Sequence, residues 1–346
     1  MVASPLKQGR NLYFKRGCVM TQKKLIYLIS FIMVLVFSSV LSNVSSAAKP
    51  IVLKTGATWE ENLLWNDGLR IFADLVAKES KGELTVKFIG GPETFPTFES
   101  VEILRKGVID LLNTDATFYT KALPAGFTGL ISELSPEEER KSGYYDAMNN
   151  LHQKMVNAYY LGKTTNFQFV FAFKKPVNKP DFTGMKIRGL PFNLNLIKAL
   201  GGSPIIVAPP ELYSALEKGV VDAYGWPQIG HIERKFHEIV KYQTNHPYYK
   251  VAVRLLMNLD TWKKLPPHLQ KLVQSIMPRV EKEAVAHYAE IVKKEHEELI
   301  KNGVKFITWS PDDVKKFYEV ARKAGGEEAI RLSPDQAPAL LKMITK

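Results

Sequence analysis

Cysteine is nearly absent from this chain. The 346 residues contain one cysteine, Cys18, which lies in the N-terminal segment. The rest of the chain therefore needs no disulfide, and cysteine metal sites and thiol chemistry are excluded there. The chain also has no phosphate-loop or dinucleotide-binding glycine pattern and no Gly-x-Ser-x-Gly motif. These absences remove the sequence signatures of several large enzyme classes.

Long apolar runs are scarce as well. Leu25 to Phe37 is a run of about 13 residues, shorter than the roughly 20 that a helix needs to span a bilayer. Lys23-Lys24 precede it, and small residues ending in Ala47-Ala48 follow it. This pattern predicts a cleaved secretory signal peptide, so that residues 1–48 would comprise an upstream extension before Met20 and the signal itself. An uncleaved membrane anchor is the alternative, and release into the periplasm is the prediction.

A large block of like charge is also missing. The formal net charge is +12, but residues 1–48 carry six of the basic residues and no acidic one, which leaves +6 for residues 49–346. The remaining charges are spread along the chain, a pattern that argues against a nucleic-acid partner. The roughly 300 residues beyond the signal are enough for two lobes with cores of their own.

Alternating strands and helices dominate what is present. Predicted strands at 51–53, 84–89 and 108–112 are separated by helical patterns, an order that indicates a mainly parallel α/β sheet. A second set of strands is predicted at 167–173, 185–188, 203–207 and 220–223. A long strand at 248–258 then leads back toward the first set, and a long helix is predicted over about 267–301. A single large α/β domain is the alternative to two lobes.

Ligands of open α/β sheets bind beyond the carboxyl ends of the strands. This rule selects charged, polar and aromatic residues that follow the predicted strands, and the aromatic ones favour a partly apolar ligand. The candidates are Trp59, Glu93, Asp115 and Phe118 in the first set, and Arg188, Phe192, Tyr224 and Trp226 in the second.

Arg188 is the most informative candidate. It ends a strand that otherwise has a buried pattern, and an unpaired charge is costly in such a place. The planar guanidinium fits a carboxylate through two parallel hydrogen bonds. A structural salt bridge to a neighbouring acid is the alternative to ligand binding.

Four blocks of sequence resemble the solute-binding subunits of tripartite ATP-independent periplasmic (TRAP) transporters. PVNKPDFTGMKIRG ends near Arg188, and LIKALGGSPIIVAPPELYSALEKGVVDAYGWP follows it. KFIGGPE and SVEILRKGVIDLL lie upstream. The resemblance covers nearly all of the chain beyond the signal, and the order and spacing of the blocks make it specific.

The resemblance implies roles for individual residues. Arg188 matches the family's carboxylate-binding arginine, and Trp226 matches a ligand-contacting position. Gln168 stands where the sialic-acid branch has a second arginine and the keto-acid branch has a glutamine. Without that second arginine we expect a small organic monocarboxylate rather than a dianion. Gly225 replaces the metal-coordinating glutamate of the keto-acid branch, so we expect neither a metal nor another cofactor.

The resemblance also implies an architecture and partners. The expected fold is α/β, a two-lobed periplasmic binding protein of the class II-like type. Lobe I would hold 49–165 plus 252–291 and lobe II 166–251 plus 292–346, with the long helix spanning the hinge. The expected protein is a monomer that is not an enzyme and delivers its ligand to integral membrane subunits. The alternatives are a binding protein of an ATP-driven transporter or sensor system, and a secreted hydrolase or lyase.

Overall fold

Two β-sheets organise the chain. A computed structural model describes residues 49–165, 167–251 and 253–345. The strands are β1 (Ile51–Ala57), β2 (Leu84–Gly90), β3 (Leu111–Asp115), β4 (Ala158–Lys163), β5 (Gln168–Phe173), β6 (Lys186–Gly189), β7 (Ser203–Ile206), β8 (Ala223–Pro227), β9 (Tyr242–Thr244), β10 (Tyr248–Lys250), β11 (Val253–Asn258) and β12 (Lys305–Ile307). The helices are α1 (Asp67–Glu79), α2 (Ser100–Arg105), α3 (Pro136–Lys141), α4 (Tyr144–Val156), α5 (Leu194–Ala199), α6 (Leu212–Glu217), α7 (Leu259–Lys264), α8 (Pro267–Lys301), α9 (Pro311–Leu332) and α10 (Ala337–Ile344).

The first sheet has the strand order β2-β1-β3-β11-β4. β1 pairs in parallel with β2 and β3, whereas β11 runs antiparallel to β3 and β4. Helix α1 connects β1 to β2 and buries Leu69, Phe72 and Val76 along one face. Because β1, β2 and β3 are parallel, the segments that follow them lie together at one edge of the sheet.

The second sheet has the order β12-β9-β5-β8-β6-β7, with β10 paired to β5. β8 lies between the parallel strand β6 and the antiparallel strand β5. The amino-terminal end of β5 therefore lies at the same edge as the carboxyl ends of β6 and β8. The chain passes from the first sheet to the second between β4 and β5, and it returns between β10 and β11.

Three sequence-based strand predictions need correction. The predicted strand 108–112 lies at Leu111–Asp115, because the preceding residues form the turn that follows α2. The predicted strand 220–223 lies at Ala223–Pro227, which is the buried central strand of its sheet. The predicted strand 248–258 is two strands, β10 and β11, which belong to different sheets. Strand β4 was not predicted at all.

Helix α8 packs against both sheets, and its 35 residues agree with the long helix expected over 267–301. Val273, Ile276 and Val280 lie in a hydrophobic cluster of the first sheet. Further along, Ala284 and Tyr288 lie in the main cluster of the second sheet. A hinge function for α8 stays a prediction, as does the division of the chain into lobes at 165/166, 251/252 and 291/292.

The last helix, α10, contacts the hydrophobic clusters of both sheets, and its Ala337 lies in the main cluster of the second sheet. Its Leu340 and Ile344 share a cluster with Leu104 and Tyr144. The expected lobe II segment 292–346 therefore ends in a helix whose apolar side chains also contact the other sheet.

Buried ion pairs tie the first sheet to helices α3 and α8. The Lys163 ammonium lies 2.6 Å from a Glu139 carboxylate oxygen, and both side chains are buried. Arg140 donates to both Glu281 carboxylate oxygens, at 2.8 and 3.0 Å. Pairing is what makes such charges tolerable in the interior, so each pair fixes the relative position of the elements that carry it.

No helix among residues 49–165, 167–251 and 253–345 combines the length and apolarity needed to cross a membrane. The predicted signal peptide and upstream extension lie outside the described residues.

Gly68 provides a test of the packing near the first crossing between the sheets. A Cβ added there would lie 2.0 Å from the Thr164 carbonyl oxygen. We expect Gly68→Ala to lower the free energy of unfolding by about 1–3 kcal/mol, because backbone must move to relieve the contact. Urea denaturation measures this difference.

Gly326→Ala is the matched control, since an added Cβ in this helix interior meets nothing within 4 Å. It should leave stability unchanged or raise it by up to about 1 kcal/mol, because alanine favours the helix more than glycine does. Equal denaturation midpoints for the two variants would contradict the packing argument.

Candidate functional site

A cavity of about 390 Å³ lies where the strand ends of the two sheets face each other. The segments after β1 and β3 contribute one wall. The ends of β6 and β8 and the start of β5 contribute the other. Its aromatic lining residues are Trp59, Trp65, Phe118, Phe169, Phe192 and Trp226, and its charged lining residues are Glu60, Asp115, Arg188 and Arg234.

Arg188 lines this cavity and is only 1% exposed. Its Nε donates to the Val207 carbonyl at 3.0 Å, and its Nη1 donates to the Gly225 carbonyl at 3.0 Å. Its Nη2 is buried and has no hydrogen-bond partner in the part of the chain that the structure describes. Two backbone carbonyls therefore hold the guanidinium and leave one nitrogen without a partner. The structure gives no support to the alternative of an internal salt bridge.

The surroundings of Arg188 make its charge costly. Burial lowers the pKa of Arg188 to about 10, Tyr248 opposes that effect, and the like charge of Arg234 adds to it. The guanidinium still carries its proton at neutral pH. Its carbon lies 5.1 Å from the centre of the Trp226 ring, within the range of a cation–π contact. An anion entering the cavity would offset the cost of burying this charge.

Arg234 is a second cation on the same wall. It is exposed, and its guanidinium carbon lies 5.4 Å from the centre of the Trp226 ring. Sequence reasoning missed Arg234 because it lies in a turn several residues beyond the end of β8 rather than directly after a strand. Two guanidinium groups, those of Arg188 and Arg234, therefore line the cavity.

Aromatic rings build the opposite wall. Trp59 stacks on Trp65 with ring centres 5.5 Å apart, and Phe118 meets Trp59 edge-on at 5.7 Å. The Asn113 side chain donates to the Trp65 carbonyl at 3.0 Å and so fixes the loop that carries this tryptophan. Trp65 was also missed, because it lies in the helical pattern predicted between the strands at 51–53 and 84–89 rather than at a strand end.

Asp115 lines the cavity beside these rings. Its carboxylate accepts a hydrogen bond from the Thr117 backbone N–H at 2.9 Å and another from the Thr117 hydroxyl at 2.8 Å. The aspartate thereby caps the short turn that presents Phe118 to the cavity. Glu60, an exposed residue of the same wall, follows Trp59 directly.

The structure brings six of the nine predicted site residues to this cavity: Trp59, Asp115, Phe118, Arg188, Phe192 and Trp226. Gln168 does not line it, because the neighbouring Phe169 does and successive strand side chains point to opposite faces. Glu93 is exposed, and its carboxylate accepts from the Gly91 N–H at 2.6 Å, a contact that lowers the pKa of Glu93. Ligand contacts by these two residues stay predictions.

Tyr224 is the third predicted residue that does not line the cavity. It is buried in a hydrophobic cluster with Phe236, and its hydroxyl lies 2.8 Å from His231 Nδ1. Tyr224 therefore supports the wall from behind, and direct contact with a ligand would require the cluster to rearrange.

A metal site does not fit these residues. In the described ranges no group of three or more His, Cys, Asp or Glu side chains is arranged to hold a metal ion. A Cβ at Gly225, where the keto-acid branch has its glutamate, would lie 2.3 Å from the Tyr248 hydroxyl and 2.7 Å from Asn193 Nδ2. Those two side chains bond to each other at 2.8 Å and fill the space that a metal ligand would need.

The geometry is that of a binding cleft between two β-sheets, and the buried guanidinium of Arg188 lines one of its walls. The sequence profile of the bacterial extracellular solute-binding protein family 7 matches residues 55–328. The chain belongs to this family. The family comprises the solute-binding subunits of TRAP transporters. These subunits are periplasmic transport proteins rather than enzymes, and they deliver ligand to membrane subunits.

Individual relatives agree with this assignment. The chain is 25% identical to a solute-binding protein of Albidiferax ferrireducens, over 79% of this chain and 83% of that one. It is 26% identical to a C4-dicarboxylate-binding periplasmic protein of Rhodobacter capsulatus, over 75% and 79% of the two chains.

A solved structure confirms the fold. A TRAP periplasmic solute-binding protein from Desulfovibrio salexigens with bound orotic acid has a TM-score of 0.73 and 22% identity, and the match covers 85% of this chain and 97% of that one. The expected fold class, a two-lobed α/β periplasmic binding protein with a long C-terminal helix, is confirmed.

His231, behind the second wall, provides a test by pH. Its Nε2–H donates to the Pro227 carbonyl at 2.8 Å, so its Nδ1 accepts from Tyr224. Burial lowers the pKa of His231 to about 4. The unfolded chain therefore takes up a proton first as the pH falls. We expect the free energy of unfolding to fall between about pH 6.5 and 4, by up to about 1.4 kcal/mol per pH unit from this group.

Urea denaturation across this pH range measures the slope. His231→Gln keeps a donor and an acceptor but does not titrate, so it should reduce the slope. Burial lowers the pKa of His152 to about 3, so this residue also makes the free energy of unfolding fall with pH, equally in the wild type and in the variant. An identical pH profile in the variant would refute the assignment to His231.

Proposed function

We propose that this TRAP solute-binding protein captures a small organic carboxylate, with one carboxylate group, in the cavity lined by Arg188. The observation that carries the proposal is the buried Nη2 of Arg188. Its guanidinium is held by two carbonyls, lines a ligand-sized cavity and lacks an ion pair within the described residues. A carboxylate reaching that nitrogen would satisfy its hydrogen bonds and neutralise its charge.

Arg188 alone does not account for useful affinity. A hydrogen bond to a charged group contributes about 1.5–3 kcal/mol, whereas micromolar binding needs about 8 kcal/mol net of the entropy lost on association. The rest must come from burial of the ligand against the six aromatic rings of the cavity, and from contacts on the opposite wall. A ligand with an apolar or aromatic body fits this requirement.

Two of the relatives support the carboxylate class and leave the number of carboxylates open. Orotic acid, bound in the Desulfovibrio salexigens structure, carries one carboxylate. The Rhodobacter capsulatus relative is named for dicarboxylates, which carry two. We infer one carboxylate here because the first wall of the cavity presents Glu60 and Asp115, which would repel a second one.

The proposed cycle follows from a ligand that touches both walls. Binding draws together lobe I (49–165 plus 252–291) and lobe II (166–251 plus 292–346) about helix α8, and the closed form is what the membrane subunits recognise. In this proposal the protein is a monomer, is released into the periplasm after its signal peptide is removed, and performs no catalysis. None of the described residues that line the cavity is Ser, Cys or His, so a hydrolase has no support there.

Arg188 variants test the proposed contact. We expect Arg188→Lys to weaken carboxylate binding nearly as much as Arg188→Ala, because an ammonium lacks the planar fork that satisfies two carbonyls and a carboxylate at once. Removing one partner of a buried charge pair typically costs about 2–5 kcal/mol, a loss of about 30-fold or more in affinity. Calorimetry with carboxylates selected by thermal shift measures it.

Lys186→Ala is the control, since it removes a positive charge from the exposed start of the same strand. It should bind ligand normally, and melting temperatures will show whether each Arg188 variant is folded. Near-normal affinity of folded Arg188→Lys would contradict the forked contact. If only dicarboxylates or uncharged sugars raise the melting temperature of the wild type, the proposed ligand class is wrong.

A further inference from the structure

The two walls of the cavity carry opposite charge. Both lining arginines, Arg188 and Arg234, lie on the wall built by the second sheet. Both lining carboxylates, Glu60 and Asp115, lie on the wall built by the segments after β1 and β3. A ligand that spans the cavity therefore meets cations at one end and carboxylates at the other.

The acidic wall also carries three of the six aromatic residues that line the cavity. Trp59 contacts both Trp65 and Phe118 there, and all three rings are half-buried. Two interactions attract cations to such a wall: the negative faces of the aromatic rings and the charges of the neighbouring carboxylates. Such a wall suits an ammonium or a quaternary nitrogen.

We propose that the ligand is a zwitterion, a carboxylate that also carries a cationic nitrogen. The carboxylate binds on the arginine wall, and the nitrogen binds against the Trp59 and Phe118 rings near Glu60 and Asp115. This inference rests on the proposed function, because it takes Arg188 as the carboxylate contact. It adds the chemistry of the other end of the ligand.

A dicarboxylate fits the polarity of the cavity less well. Its second carboxylate would either approach Glu60 and Asp115, which repel it, or lie beside the first one on the arginine wall. In the second case Glu60 and Asp115 on the acidic wall would be left with no cationic group of the ligand to bind. The zwitterion satisfies both walls with one molecule, and it does so without a net charge that the cleft must neutralise.

Isosteric ligands separate charge from shape. Trimethylammonioacetate and tert-butylacetic acid differ by one atom, the nitrogen that carries the positive charge, and trimethylammoniobutyrate offers a longer spacing. Choline keeps the cation and lacks the carboxylate, and succinate replaces the cation by an anion. Calorimetry with the purified wild-type protein should give tighter binding for a zwitterion than for tert-butylacetic acid, by about threefold or more. Choline and succinate should bind more weakly than the zwitterion.

Glu60 and Glu61 form a matched pair of variants. Both are exposed glutamates in the same turn, but only Glu60 lines the cavity. Glu60→Gln should weaken zwitterion binding by about two- to fivefold, as expected for one exposed charge, and should not weaken binding of tert-butylacetic acid. Glu61→Gln removes the same charge and should change neither affinity.

The outcomes separate this inference from the proposed function. If tert-butylacetic acid, succinate or orotate binds at least as tightly as both zwitterions, and Arg188→Ala abolishes that binding, the zwitterion is refuted and carboxylate capture survives. An equal effect of Glu60→Gln and Glu61→Gln also refutes the nitrogen contact. If the folded wild type binds none of these carboxylates, both proposals fail.

Discussion

A buried guanidinium held by backbone carbonyls is the constraint on which the rest of the site depends. Arg188 is buried away from water, and hydrogen bonds to the carbonyls of Val207 and Gly225 replace part of its hydration. Carbonyl dipoles stabilise its charge but do not neutralise it, so its pKa lies below the usual value for arginine. The side chain is therefore fixed in direction and has no counter-ion among the residues that the structure describes. A protein that must bind and later release an anion needs this combination, because a permanent internal acid would compete with the ligand.

The topology supplies the other half of the cavity. The chain leaves the first sheet after β4, builds the second sheet, and returns through β10 and β11. The cavity forms where the loops after β1 and β3 face the ends of β6 and β8. Several residues of each wall lie at or just beyond the ends of buried strands. The Asp115 cap and the Asn113 bond to the Trp65 carbonyl hold the loops in place.

The distribution of charge across the cavity narrows what can bind. Aromatic rings supply area for burial, the arginine wall attracts an anion, and the acidic wall repels one. In the proposed complex, charge rather than a large number of hydrogen bonds would orient the ligand. The packing at Gly225 restricts the site further. Tyr248 and Asn193 occupy the volume in which a relative would place a metal-coordinating side chain.

Much of this could be predicted from the sequence, because strand patterns place strand ends to within a few residues, even where the predicted strands at 108–112 and 220–223 ended too early. Parallel strands then bring those ends together. Arg188, Trp226, Asp115 and Phe118 were found in that way. Tyr224 and Gln168 show the limit of the method: periodicity places a residue near a strand end, but packing decides which face of the sheet turns toward the cavity.

Arg234 and Trp65 show the complementary limit, since neither follows a strand and only the folded chain brings them to the cavity. The sequence by itself determined the α/β class, the family and the position of the buried arginine, because these depend on local patterns along the chain. The tertiary structure decided the polarity of the cleft, because charges far apart in sequence acquire opposing positions only when the two sheets face each other.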